Sequence, residues 1–288
     1  MTIKSSVKKI FKLIFAKRPV YTTANIVTLA PNELLNGRFA LITGGTSGIG
    51  YAIAELFLKS GASVCITGRS QKRIDDACKK LKSIIPASKE HVYGMVLDNC
   101  NISSYTSAID SILQMEGKID ILVNNAGVLG GHISNTTEEE YDNVLDTNLK
   151  GVFFLSQAIG KYMKEHQIKG NILNIASSSS LRPADSAYIL SKWGIRALTL
   201  GLAKSLIPYG ITVNGVAPGP TATPMLMSDD RHNITHNTIP AGRYALPEEI
   251  ANMALFLVSD MGKMVVGDIV YMTGGAGILT FDDMKYNF

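Results

Sequence analysis

From Arg38 onward, short runs rich in β-branched residues alternate with longer segments of helical period, and a turn holding four glycines joins the first such pair. That alternation is what a parallel sheet covered by helices on both faces requires, because its strands lie buried on both sides. Residues 39–43 read as the first strand, 49–60 as a helix and 63–67 as the second strand, completing a βαβ unit. Further buried strands are expected at 92–97, 119–124, 171–175, 212–216 and 269–272, each a short apolar run bounded by turn residues. Helices are expected at 71–82, 104–114, 138–166, 187–206 and 247–257. No linker or low-complexity run divides the 288 residues, so the expectation is one doubly wound α/β domain over 35–288, preceded by an extension at 1–34. Such a sheet gathers its ligands at the carboxyl ends of its strands.

Two patterns carry chemistry. Thr43-Gly44-Gly45-Thr46-Ser47-Gly48-Ile49-Gly50 lies between the first strand and the first helix. Glycines there let the backbone turn tightly and approach a pyrophosphate, whose charge the helix N-terminus favours. The alternative is a plain strand-to-helix connection. Tyr188 and Lys192 stand at i and i+4, on one face of a helix. An ammonium beside a phenol favours the phenolate and lowers a pKa of ~10, which would let Tyr188 exchange protons near neutral pH. The pair alone is weak, since chance gives ~0.8 such matches in a chain of this composition. The end of the second strand, Ile66-Thr67-Gly68-Arg69-Ser70, contains no acid. An NAD site normally offers a carboxylate to the adenosine ribose at this distance from the glycines, whereas an Arg accommodates a 2′-phosphate. Arg69, with Thr67 or Ser70, points to NADP(H) rather than NAD(H); the alternative is an Arg in solvent or stacked on adenine without reading the phosphate.

Taken in order, these segments resemble the short-chain dehydrogenase/reductase family. Thr-Gly-x3-Gly-x-Gly resembles its nucleotide fingerprint, Asn124-Asn125-Ala126-Gly127 its segment after the fourth strand, and Asn148 its helical Asn. Ser177 precedes Tyr188-Ile-Leu-Ser-Lys192, and Pro218-Gly219-Pro-Thr221-Ala-Thr223 resembles the loop that closes over the nicotinamide. The resemblance spans about Gly37 to Gly275 and implies a single-domain Rossmann fold and a hydride transfer between nicotinamide and a carbonyl or secondary alcohol. It implies that Tyr188 is the acid/base, that Ser177 bonds the reacting oxygen and that Lys192 also holds the nicotinamide ribose. It further implies that Asn148 supports a water between Lys192 and solvent, and that Asp98 contacts the adenine; Asp98 could instead cap the next helix. Residues 175–182 match the family's Ile-x-Ser-x-x-Gly-Leu-Arg pattern with Ser177 in register, Ser178 being the alternative. Ser180 replaces the usual Gly, and the Ser177-to-Tyr188 spacing is about two residues short, which puts the rim of the substrate site in doubt. Residues 240–251 resemble the branch containing 3-oxoacyl-carrier-protein reductases and glucose dehydrogenases, and 225–244 sits where the family keeps its substrate lid. Related enzymes pair the helices corresponding to 138–166 and 187–206, which implies a homotetramer or homodimer. The competing reading is a binding scaffold or redox sensor for NADP(H) that has lost catalysis.

Charge is unevenly spread. Residues 1–34 hold six cations against Glu33, a net +5, and the chain total of +4 leaves the remainder at −1, so no nucleic-acid partner is expected. Val7, Ile10, Phe11 and Ile14 fall at helical spacing, so residues 1–20 read either as an amphipathic helix on an anionic membrane surface or as a solvated tail or intersubunit arm. Lys12 interrupts the apolar run around 10–16, which argues against a secretory signal. Cys65, Cys78 and Cys100 lack metal-type or paired spacing, and a reducing, cytoplasmic setting is expected. His232 and His236 are spaced as a helical metal pair could be, but no cysteine joins them and no metal is expected.

Overall fold

The computed structural model describes residues 30–84, 90–227 and 233–285. Residues 31–288 form one compact unit, distinct from Met1–Ala30. The basic segment read as a helix or arm therefore lies outside the described residues, as does His232.

Seven strands form one sheet in the order β3-β2-β1-β4-β5-β6-β7, and every neighbouring pair is parallel. They are β1 (Phe39–Ile42), β2 (Ser63–Gly68), β3 (Val92–Val96), β4 (Ile121–Asn124), β5 (Asn171–Ile175), β6 (Thr212–Pro218) and β7 (Ile269–Met272). The helices are α1 (Gly48–Lys59), α2 (Gln71–Ile84), α3 (Tyr105–Glu116), α4 (Glu138–Leu145), α5 (Gly151–Glu165), α6 (Ala187–Leu206) and α7 (Pro247–Val258).

Alternation along β1 shows how the sheet is sandwiched. Ala40 and Ile42 face a core with α1, α2 and α7 (Ile53, Phe57, Leu81, Ile250, Ala254), whereas Phe39 and Leu41 face one with α3, α5 and α6 (Ile112, Leu155, Ile159, Ala203). Along the edge strand β3 only Val92 is buried, while Tyr93 and Met95 are half-buried against the second core and Gly94 and Val96 are exposed. Among the described residues no helix is long and apolar enough to cross a membrane.

One element departs from expectation. The single helix expected over 138–166 is broken into α4 and α5 by a π-helical turn at Asp146–Lys150, whose middle residue is the buried Asn148. Such bulges realign one side chain without ending the helix. Strand order reverses between β1 and β4, and the crevice at that switch point is the ligand-binding locus of an open α/β sheet.

Candidate active site

A cleft of about 730 Å³ opens at that crevice, lined from the carboxyl ends of six of the seven strands. After β1 come Gly44, Thr46, Ser47, Gly48 and Ile49; at the end of β2, Gly68, Arg69 and Ser70; after β3, Asp98. Asn125, Ala126 and Gly127 follow β4, Ser177 follows β5, and Pro218, Gly219, Thr221 and Thr223 close the cleft beyond β6. Tyr188 and Lys192 reach it from α6.

The glycine turn is held from behind. Thr43 Oγ1 accepts hydrogen bonds from the backbone N–H groups of Asn125 (3.0 Å) and Ala126 (3.1 Å), while Asn125 Nδ2 donates to the carbonyls of Thr43 and Gly44, both at 3.0 Å. Gly44 has φ +65°, and a Cβ there would lie 2.9 Å from Ala126 Cα. At Gly50 a Cβ would come within 2.4 Å of Asn125 Nδ2 and 2.6 Å of the Gly44 carbonyl. Thr43 and Gly50 thus shape the turn without lining the cleft. The N-cap of α1, Ser47, makes no side-chain cap bond, so no hydroxyl of the cap takes up the first-turn N–H groups, and Gly48 and Ile49 of that turn line the cleft. A helix start without a side-chain cap, in a glycine cradle that tolerates no Cβ at Gly44 or Gly50, fits a pyrophosphate.

At the far end of the cleft Arg69 is exposed, and Arg73, four residues on, lines the wall with it. Sequence reasoning passed over Arg73, because Arg69 precedes α2 while Arg73 lies within it, so no helix-face spacing joins the two. Thr67, by contrast, is buried and absent from the cleft wall. Asp98 lines the cleft while its Oδ1 accepts the Cys100 N–H at 3.0 Å, so it caps a tight turn rather than the helix that follows. Val128 and Leu129 also line the wall and were not anticipated, because they carry no chemistry that spacing could flag.

The other end holds Ser177, Tyr188 and Lys192. Ser177 is buried, caps the short 3₁₀ turn Ser178–Leu181 by accepting the Ser179 N–H at 3.1 Å, and lines the cleft together with Tyr188. Ser178 is buried and does not line the cleft. Burial pushes the Tyr188 phenol up from its ordinary pKa, with the Ser177 hydroxyl pulling it back in part. That direction is opposite to the one expected from the Tyr/Lys pair, and the position of Lys192 explains why. Its ammonium donates to the Ile175 carbonyl at 2.9 Å and sits 5.6 Å from the centre of the Tyr188 ring. Burial also weakens the ammonium itself, bringing the Lys192 pKa down to about 8.

Asn148 lies behind this wall. Its Oδ1 accepts the Val128 N–H at 2.8 Å, and its Nδ2 donates to the Val128 carbonyl at 2.9 Å and to Ser191 Oγ at 3.2 Å. The π turn thereby fastens the loop after β4 to α6, one residue before Lys192. In the segment expected to act as a lid, Met225 and Leu226 are exposed and line the cleft. His236 pairs with Thr238 Oγ1 at 3.1 Å and packs edge-on against Tyr244.

The family model described as enoyl-(acyl carrier protein) reductase matches residues 44–277. A 3alpha-hydroxysteroid dehydrogenase of Mediterraneibacter gnavus is 39% identical over 248 residues, covering 84% of this chain and 98% of that protein. The 3-oxoacyl-[acyl-carrier-protein] reductase FabG of Thermotoga maritima is 35% identical, covering 84% and 98%. A solved 3-ketoacyl-(acyl-carrier-protein) reductase of Brucella melitensis, complexed with NADH, superposes with a TM-score of 0.76 at 29% identity, covering 85% of this chain and all of that one. With a cleft of this construction and relatives matched over nearly their whole length, the chain belongs to the short-chain dehydrogenase/reductase family of oxidoreductases, in its FabG-like branch.

Proposed function

We propose that this protein is an NADP(H)-preferring oxidoreductase that interconverts a carbonyl and a secondary alcohol, with Tyr188 moving the proton. The observation that supports it best is the meeting of Ser177, Tyr188 and Lys192 on the wall of the same cleft that takes in the glycine turn. A nicotinamide dinucleotide bound there supplies or accepts the hydride. The glycine turn and the α1 N-terminus would hold its pyrophosphate, Asp98 and Asn125–Gly127 would flank its adenosine half, and Pro218–Thr223 would border its nicotinamide end. Arg69 and Arg73 would meet a 2′-phosphate, with no carboxylate near Arg69 in sequence to compete for a ribose hydroxyl.

The chain's own residues then manage one proton. Ser177, on the same cleft wall as Tyr188, orients the substrate oxygen toward the phenol. A phenol held above its ordinary pKa is fully protonated at neutral pH, the form that donates to a carbonyl oxygen in the reduction direction. The Lys192 ammonium, protonated below about 8, steadies the phenolate left behind. Asn148 supports the path that restores the proton by fixing Val128 and Ser191 around Lys192.

The test is Tyr188→Phe, assayed for turnover on a panel of sugars, acyl thioesters and steroids and for NADPH affinity by fluorescence. Turnover should fall by roughly 10²–10⁴-fold, the usual contribution of a positioned acid/base, while NADPH affinity stays within about twofold. Retained turnover removes Tyr188 from the role. A wild-type protein that binds NADPH tightly and reduces nothing on the panel would favour the catalytically silent scaffold.

A further inference from the structure

Among the described residues Arg182 is the largest fully buried side chain, and it sits where the serine turn ends. A buried guanidinium must be paired, and among the described residues its one carboxylate is Asp283. Arg182 Nη2 donates to both oxygens of Asp283, at 2.7 and 2.6 Å, and both side chains are wholly inaccessible to solvent. The Phe281 ring stacks at 5.6 Å from the guanidinium carbon. Gly277, at φ +71°, lets the chain pass over the guanidinium; a Cβ there would lie 3.0 Å from both Nε and Nη2. Phe281 and Asp283 lie beyond residue 277, where the match to the family model ends.

The backbone of Arg182 is engaged on its other side. Its carbonyl accepts from Trp193 Nε1 at 2.8 Å, and Trp193 directly follows Lys192 on α6. The turn between Ser177 and Arg182 is also tied through Ser180, whose hydroxyl donates to the Ser177 carbonyl at 2.8 Å and lies 3.1 Å from the Tyr271 hydroxyl on β7. Residue 182 is therefore the point where the serine turn, the Tyr188/Lys192 helix and the C-terminal segment meet.

We propose that the segment 278–285 is an intramolecular strap on the active site, and that Asp283 is a positioning residue which, through Arg182, sets Ser177 against Tyr188. The physical reason is that the two directional bonds of the buried pair fix residue 182, which an apolar contact would not do. Without Asp283 the guanidinium also has no counter-charge among the described residues, and hydrating it moves the turn that carries it, Ser177 included. A sub-ångström change in Ser177 is enough to spoil a reaction that depends on alignment, without touching the glycine turn at the opposite end of the cleft. This inference rests on the proposed role of Ser177 and Tyr188, and its test has a readout that needs no turnover.

Asp283→Asn, Asp283→Glu and the double variant Arg182→Met/Asp283→Leu would be compared with the full-length wild type. Measurements are hydrogen–deuterium exchange, kcat, KM, NADPH affinity and thermal midpoint. In Asp283→Asn the peptide 177–187 should exchange about tenfold faster, with the peptide 43–50 unchanged. Its kcat should fall by roughly 10–100-fold, with NADPH affinity within about twofold. Asp283→Glu, which keeps the charge, should recover most of the kcat. The double variant removes the unpaired charge, so it should fold even if Asp283→Asn does not; it should hold its thermal midpoint and still show the faster exchange at 177–187. Wild-type exchange at 177–187 in the folded double variant overturns the proposal, because the pair would then only compensate its own burial. Faster exchange spread evenly over the whole chain in Asp283→Asn overturns it as well. If Tyr188→Phe keeps its turnover, the reaction proposed above fails, yet the exchange pattern still decides whether the strap exists.

Discussion

Lys192 shows what spacing can and cannot tell about a single side chain. An i, i+4 pair places an ammonium and a phenol on one helix face, and both do reach the cleft. The orientation of the ammonium depends on the Ile175 carbonyl at the end of β5, a partner seventeen residues away that no local pattern announces. The resulting burial has a consequence for stability. A lysine whose folded pKa lies near 8, against 10.5 for the free group, destabilises the fold wherever the protonated form must be buried. The penalty of about 3 kcal/mol is fully present below pH 8 and recedes as pH rises from 8 to 10.5, where the unfolded chain binds the extra proton. Urea unfolding of wild type and Lys192→Met between pH 7 and 9.5 isolates it from other titrating groups. The wild type should gain about 2 kcal/mol relative to the variant over that range. A difference that stays flat with pH would mean that the ammonium is not desolvated.

Among the elements, those written by local chemistry were readable to the residue. Helix α6 begins at Ala187 because Ser186 caps it, and β5 and β7 are bounded by turn residues, so all three fall where the patterns place them. Strand β6 runs to Pro218, two residues past its expected end, because β7 pairs with Ala217 and Pro218. The π turn in the middle of 138–166 was not readable at all. No proline marks it, and Gly151 beside it reflects a different demand, the approach of Asn99, whose carbonyl would lie 2.4 Å from a Cβ. What holds the turn is the hydrogen bonding of Asn148 to both backbone groups of Val128, a contact twenty residues apart in sequence. Asn148→Ala leaves that N–H and carbonyl without their partner in a part-buried loop. It should cost about 1–3 kcal/mol of unfolding free energy in urea, with the dependence on denaturant unchanged. A loss below about 0.5 kcal/mol would show that the loop after β4 stands without this brace.

At the scale of the whole molecule, the cleft is built from both halves of the sheet, β1–β3 on one side of the switch point and β4–β6 on the other. The general location of the site followed from the alternating pattern and the glycine turn, since an open α/β sheet leaves few other places for a dinucleotide. The far wall did not follow, because Arg73 joins Arg69 there only once α2 has packed. A ligand that spans such a cleft ties the two halves together, so it must raise the stability of the entire unit by mass action. At a concentration of 100 Kd the gain is about 2.7 kcal/mol, which for a domain of this size is about 5–10 °C in thermal midpoint. If the two arginines read a 2′-phosphate, NADPH should raise the midpoint more than NADH at equal concentration. Arg69→Ser/Arg73→Ser should then bring the two increments together by lowering that of NADPH and leaving that of NADH unchanged. Equal stabilisation of the wild type by both cofactors would place the arginines in solvent and return the preference to the ribose hydroxyls. A double variant that lost both increments would instead show that the pair supports the cleft rather than the phosphate.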